Sequence, residues 1–285
     1  MNDLERLADD QGRLAIRPYN ELFIYYLKGH LNRAAHIGIK TFIGNWEEEN
    51  FSFLFFSAPA DRQVAALLAE QSQAVLLDRF QMTYDEWHGG APQTLDIAGF
   101  HIAPPWEASV GGHFKNEILL DPGVVFGTGT HATTHDCLVA LEQVFRSSNI
   151  TTVLDLGTGT GLLALAAARL GAQRVVAVDL NLLAVQTTLH NIRLNRLTHR
   201  IVAVRGLAEN FIDFPSDLVV SNIHFDVMRR LLTASALGRT KWFVLSGLLR
   251  SQAREVASIL KQQPTEILQT WERDGIWHTF LGRVR

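Results

Sequence analysis

Apolar and polar positions alternate in two distinct styles along the chain. Through residue 90 the apolar runs are short and aromatic. Glu21-Leu22-Phe23-Ile24-Tyr25-Tyr26-Leu27 and Phe51-Ser52-Phe53-Leu54-Phe55-Phe56 predict strands. Glu47-Glu48-Glu49-Asn50, between Trp46 and Phe51, reads as a hairpin turn. From Asp61 to about Phe80 the apolar positions Val64, Leu67, Leu68 and Ala69, then Ala74-Val75-Leu76-Leu77, predict helix. Together these elements predict a small α+β module over residues 1–90.

Residues 91–125 read as a connecting segment. Gly89-Gly90-Ala91-Pro92 breaks the chain, and Phe100-His101-Ile102-Ala103 is a short strand stopped by Pro104 and Pro105. Glu117-Ile118-Leu119-Leu120 is another, running into Asp121-Pro122-Gly123. Trp87 and Trp106 read as packing residues. From residue 126 to 285 strand and helix then alternate. Strands are expected at about 151–156, up to Asp179, and at 201–204, 217–222 and 242–246. Helices are expected at about 161–170, 182–194 and 251–260. Segments 265–271 and 277–281, joined by Asp274-Gly275, predict a hairpin. Alternation of this kind implies an α/β doubly wound parallel sheet, here with an antiparallel end.

The chemistry concentrates in residues 152–179. Thr152-Val153-Leu154-Asp155-Leu156-Gly157-Thr158-Gly159-Thr160-Gly161 is a strand running into a glycine turn, and Arg174-Val175-Val176-Ala177-Val178-Asp179 is a second strand ending in an acid. Glycines let the turn bend sharply and let backbone approach a ligand closely. Dinucleotide sites use G-x-G-x-x-G at the start of a helix that holds a pyrophosphate. Here the third glycine comes one residue early, and Asp155 precedes the first by two. An acid at the mouth of that strand suits an amino-bearing ligand and repels pyrophosphate. Asp179 is placed to accept hydrogen bonds from both hydroxyls of a ribose. This pattern resembles the S-adenosylmethionine site of class I methyltransferases. Upstream, Phe126-Gly127-Thr128-Gly129-Thr130-His131-Ala132-Thr133-Thr134 leads into an apolar helical run, where Thr133 or Thr134 can cap the helix. The loop is placed to fold over a ligand bound at the glycine turn.

Composition narrows the setting. The chain has 285 residues, enough for two domains, with 47% hydrophobic and 19% charged residues. The sequence holds no run of eighteen apolar residues, so no membrane association is expected. The start, MNDLERLADDQ, has no signal-peptide pattern, which predicts a cytoplasmic protein. The single cysteine, Cys137, excludes an intramolecular disulfide and reads as packing. No cluster has metal-ligand spacing, so no metal is expected. Net charge is −3; through residue 95 acids outnumber Lys and Arg 13 to 8, and beyond it 18 basic residues face 16 acids. That balance points away from a basic RNA-binding arm and from direct nucleic-acid binding.

The stretch from 115 to 285, with a weaker match from Tyr84 to Trp106, resembles the ribosomal protein L-eleven methyltransferases of PrmA type. The most specific element is Phe126–His131 with Thr133-Thr134; Ser221-Asn222-Ile223, Leu245-Ser246-Gly247 and Arg273-Asp274-Gly275-Ile276-Trp277 also match. The resemblance implies that Thr134, Gly157, Asp179 and Asn222 contact S-adenosyl-L-methionine. Asp155, Gly159 and Gly161 join them from the turn itself. It also implies methylation of a protein amine, above all a lysine of a ribosomal protein. Two departures bear on the acceptor. The first 80 residues do not match the family's small recognition domain, and His224-Phe225-Asp226 follows Asn222-Ile223 where the family runs through small and apolar residues. The expected catalytic residues are Asn222, which would aim an acceptor amine, and His224, either a proton relay or a helix-start residue without chemistry. His131 reads as structural. Residues 1–90, with a net charge of −5, are the expected acceptor-recognition module; the Glu47–Glu49 run is either a patch for a basic partner or a solvated turn. The alternatives are a methyltransferase for RNA or a small molecule, and a non-catalytic protein that binds S-adenosylmethionine.

Overall fold

Backbone pairing divides the strands among three sheets. The computed structural model describes residues 17–31, 38–71, 73–108, 114–233 and 236–285. Residues 1–16, which belong to the expected recognition module, lie outside the described residues. The chain forms two compact units, one from Ala15–Pro92 with Asn181–Leu183, the other from Gln93–Leu180 and Ala184–Arg285.

The first unit contains β1 (Glu21–Lys28), β2 (Phe42–Glu48), β3 (Phe51–Phe56), α1 (Asp61–Ala69), β4 (Val75–Thr83) and the short α2 (Tyr84–Trp87). Its sheet is antiparallel in the order β2-β3-β1-β4. Tyr25, Leu27, Leu54 and Phe56 bury one face against Val64 of α1. Glu49, with φ 50, makes the β2–β3 turn beside Asn50. One expectation fails here: helix stops at Ala69, and Val75–Thr83 is an edge strand paired with β1. Val75, Leu77 and Phe80 stay exposed, so burial leaves no periodic trace in this strand. Backbone hydrogen bonds to β1, which no local pattern records, hold it extended. Thr83 and Glu86 form a capping box that starts α2.

The second unit adds β5 (Leu95–Ile97), β6 (Phe100–Ala103), β7 (Glu117–Leu119), α3 (Ala132–Ser147), β8 (Thr152–Leu156), α4 (Leu162–Leu170), β9 (Arg174–Asp179), α5 (Leu182–Leu194), β10 (Ile201–Arg205), β11 (Ser216–Asn222), α6 (Phe225–Thr233), β12 (Thr240–Leu249), α7 (Arg250–Lys261), β13 (Thr265–Arg273) and β14 (Trp277–Val284). Seven strands make the central sheet, in the order β10-β9-β8-β11-β12-β14-β13. The first five are parallel, and β14 lies antiparallel between β12 and β13. Both faces are covered. Cys137, Leu138, Leu141 and Leu165 close one side, and Met228, Leu231, Val256 and Leu260 close the other. Burial on both faces explains why β9 and β11 carry continuous apolar stretches, Val175–Val178 and Leu218–Val220.

Polar side chains set the registers. Asp217 Oδ2 accepts the backbone N–H and hydroxyl of Thr151, at 2.9 and 2.7 Å, and those of Thr152, at 3.0 and 3.1 Å. Lys241 Nζ donates to its other oxygen at 2.7 Å. Burial works to raise this acid, yet the donors outweigh it and hold Asp217 well below the usual carboxylate range. Asn195 bonds both backbone groups of Leu119, and Asn191 bonds both of Asp121. Four residues apart, in the last turn of α5 and just past its end, these two amides fasten the end of β7 as a neighbouring strand would. Among the described residues, no helix is long and apolar enough to cross a membrane.

Candidate active site

Strand order reverses between β8 and β11, and in open α/β sheets such a switch point leaves a crevice at the carboxyl ends. The glycine turn follows β8 there. The N–H groups of Gly157 and Thr158 both donate to Val178 O, at 2.9 and 3.0 Å, which pins the turn to β9. Gly157 has φ 77, and a Cβ on it would meet Ile223 at 2.9 Å. Gly159 has φ 56, and a Cβ on it would meet Phe126 O at 2.5 Å. Neither position has room for a side chain. Gly161 precedes α4 and packs on Thr188.

Asp179 ends β9, half-buried, and its Oδ2 accepts Gly159 N–H at 3.1 Å. Asp155 is placed differently from the sequence expectation. Its carboxylate is fully buried beneath the turn and accepts the Thr158 hydroxyl at 2.6 Å. Burial pushes it up to about 7, the Thr158 bond opposes that rise, and the Asp179 charge adds to it. Asp155 thus braces the glycine turn through Thr158.

The Phe126–His131 loop is fastened to the turn. Thr160 N–H donates to Phe126 O at 3.1 Å, and its hydroxyl donates to Gly127 O at 2.7 Å. Phe126 itself is 72% exposed. The helix cap differs from expectation: His131 is the N-cap of α3, its Nδ1 accepting Thr133 N–H at 3.4 Å. The ring also packs edge-on against Trp277, with centroids 4.9 Å apart. His131 therefore joins the threonine-glycine loop to the hairpin motif.

Thr133 and Thr134 are buried, and both reach Asn222 at the end of β11, while the Thr133 hydroxyl also bonds His131 Nδ1 at 2.7 Å. The Asn222 amide nitrogen donates to Thr133 Oγ1 at 3.1 Å and to Thr134 Oγ1 at 3.3 Å. Its carbonyl oxygen lies over Gly247, where a Cβ would stand 3.0 Å away. His224 starts α6, its backbone carbonyl accepting from Val227 and Met228. Its ring is exposed, 3.8 Å from Asp226, and no hydrogen bond among the described residues ties it to Asn222. Cys137 is fully buried, and burial pushes its thiol up to about 12, which leaves it no nucleophilic character. Two residues that sequence reading passed over stand out beside Asp179. Leu180 and Leu207 are exposed apolar side chains at the carboxyl ends of β9 and β10. Their signal was faint, a single Leu directly after the acid and another two residues past β10.

Sheet order, turn and terminal acid define a Rossmann-like methyltransferase fold of the S-adenosylmethionine-dependent class. The residues fit that cofactor: a turn bare of side chains, an acid at the second strand, and exposed apolar surface beside it. The family model for ribosomal protein L11 methyltransferase (PrmA) matches residues 85–285, and the chain belongs to that family. It is 34% identical over 186 residues to ribosomal protein L11 methyltransferase of Clostridium perfringens strain SM101, covering 65% of this chain and 58% of the relative. A relative from Exiguobacterium is 39% identical over 172 residues, covering 59% and 54%. The chain thus spans less than two thirds of these relatives' length. The crystal structure of ribosomal protein L11 methylase from Lactobacillus delbrueckii subsp. bulgaricus superposes with a TM-score of 0.60 at 26% identity. That match covers 68% of this chain and all of the other.

Proposed function

We propose that this protein transfers a methyl group from S-adenosylmethionine to a protein amine, a lysine of a ribosomal protein. The observation that carries the reading is the Thr133–Asn222–Thr134 bridge. Both threonine hydroxyls take the amide nitrogen, so the carbonyl oxygen of Asn222 is the group left to receive an amine N–H. It stands at the switch-point crevice, one strand from the glycine turn.

When bound, S-adenosylmethionine supplies a methyl already activated on a sulfonium sulfur. Gly157 would admit it closely, Asp179 would hold the ribose hydroxyls, and Leu180 with Leu207 would receive the apolar faces of the base. Asn222 would aim the lone pair of the acceptor, and such positioning supplies much of the rate. A lysine must first lose a proton, and His224, exposed one residue beyond Ile223, is the candidate to take it. Residues 1–90 are assigned to acceptor recognition. Their acidic balance suits a lysine-rich partner, although Glu47 also receives a bond from Asn45 at 3.0 Å. Neutralising Glu47, Glu48 and Glu49 together should slow methylation of a protein acceptor, and rising salt should do the same.

The deciding experiment incubates the protein with labelled S-adenosylmethionine and separately with purified ribosomal protein L11, ribosomal RNA and a small-molecule extract. Label on lysine of the protein, located by peptide mass spectrometry, supports the reading. Label only in RNA or in small molecules rejects it.

A further inference from the structure

At the opposite end of the sheet from the glycine turn lies a cavity of about 380 Å³. It opens between β7, the last turn of α4 and the segment from Leu194 to Arg200 that leads into β10. Arg169, Arg196, His199 and Arg200 line it, and Glu117 is the one acid among the lining residues. None of the three arginines forms an ion pair among the described residues. Three guanidinium groups around one concave space repel one another unless an anion sits among them.

Two of the arginines are held in place. Arg169 Nη2 donates to Asn195 Oδ1 at 3.2 Å, and Arg200 Nη1 donates to Ala168 O at 3.2 Å. These bonds use only part of each guanidinium's five N–H donors. Arg169 Nε is sealed from solvent and makes no hydrogen bond. Burial also lowers the proton affinity of Arg169, with Glu117 opposing and Arg200 adding to the effect.

Arginines at helix ends also serve as ordinary C-terminal caps, which offset the partial negative charge there. That role accounts for the bonds from Arg169 and Arg200 to neighbouring carbonyl groups. It does not account for Arg196, which is exposed, has φ 59 and forms no ion pair among the described residues. Guanidinium forks match the oxygens of a phosphate. The volume falls within the range of roughly 300–1,000 Å³ common for small-ligand sites. Leu119 and Leu197 give it an apolar wall. The depression is open to solvent, and its volume of about 380 Å³ admits a small ligand, whereas an RNA backbone needs an extended groove.

We propose that this cavity binds a small phosphate-bearing anion, at a site separate from the one at the carboxyl ends of the sheet. The test uses calorimetry on the full chain with inorganic pyrophosphate at fixed ionic strength. A single-stranded RNA oligonucleotide and inorganic phosphate are run alongside. Binding of pyrophosphate is expected, and Arg196→Ala should weaken it about tenfold, the loss of one charged hydrogen-bonding partner. Arg196→Glu should abolish it. Melting temperature and S-adenosylmethionine affinity should stay as in the parent in both variants, which separates this result from failure of the methyltransferase reading. No heat with pyrophosphate at about 10 mM, a concentration well above any useful affinity, overturns the proposal. So does equal binding by the parent and Arg196→Glu. Tighter binding of RNA than of pyrophosphate, with the same dependence on Arg196, also overturns it in favour of a nucleic-acid surface.

Discussion

Arg273 donates from both Nε and Nη2 to a single oxygen of Asp136, 137 residues away, at 2.9 and 2.6 Å. Asp136 is 1% exposed and sits on α3 just after Thr133 and Thr134, while Arg273 ends β13. The pair therefore ties the antiparallel hairpin to the helix that positions Asn222. Asp136 also draws the guanidinium upward in proton affinity.

Replacing Arg273 by Ala should leave a buried carboxylate without its main partner. The guanidinium is partly exposed, so the expected loss is about 1–3 kcal/mol, below that of a fully buried pair. Thermal or urea unfolding measures it. A double variant, Arg273→Ala with Asp136→Asn, should recover part of the loss; an unchanged single variant would show that the pair is not a clamp.

Gly159→Ala should be far more damaging than Gly89→Ala. Both glycines have positive φ, 56 and 71, so both substitutions bear backbone strain of about 1–2 kcal/mol. Only at Gly159 does the new Cβ also meet backbone, Phe126 O at 2.5 Å, whereas Gly89 has nothing within 4 Å. The Gly159 variant should melt lower and lose S-adenosylmethionine binding by calorimetry. Equal melting temperatures would mean that the loop yields without resistance.

Asp179→Ala should weaken S-adenosylmethionine binding about 10- to 150-fold, the loss expected for one charge-assisted hydrogen bond. Asp179 also receives Gly159 N–H, so Asp179→Asn, which keeps an acceptor oxygen, should retain more of the affinity. A folded Ala variant with parental affinity would remove Asp179 from the cofactor site.

Asn222→Ala should lower kcat more than it weakens cofactor binding. Its bonds to Thr133 and Thr134 aim the side chain, and aiming acts on the transition state. Parallel losses in both quantities would make Asn222 a plain cofactor ligand.

Asp155 carries the pH dependence. Its native pKa of about 7 exceeds the value of 3.8 for a free aspartate, so between these limits the folded state keeps a proton the unfolded chain has lost. Its stabilising contribution is complete below about pH 4 and disappears as pH rises to about 7. Asp217 shifts the other way and loses its contribution only in acid, outside this range. The melting temperature of Asp155→Asn, relative to the parent, should therefore rise between pH 5 and 8. A constant difference across that range would place Asp155 among ordinary ionised carboxylates.

The features legible in the sequence are those written in a few neighbouring residues. The βαβ unit from Thr152 to Asp179 is one: strand, glycines, apolar helix and acid follow one another without interruption, and local sterics dictate the turn. The alternation of strands and helices after residue 150 is another, since burial on both faces requires unbroken apolar runs. Where pairing partners are distant, sequence reading falls short. Val75–Thr83 becomes a strand only because β1 offers its edge, and its exposed side chains record nothing of that pairing. Thr133 and Thr134 are good capping residues in isolation; here α3 starts at Ala132, His131 caps it, and the two hydroxyls accept from Asn222, 89 and 88 residues further on, with that of Thr133 also bonded to His131 Nδ1. Asp155 looks like an acid at a strand mouth until the sheet closes over it. By itself the sequence determined the turn that can admit a nucleotide-like ligand and the acid beside it, because both depend on backbone geometry within one supersecondary unit. Tertiary structure alone decided which end of the Asn222 amide the two threonines hold, what Asp136 holds, and where three arginines converge, because each depends on side chains that meet only when the sheet assembles.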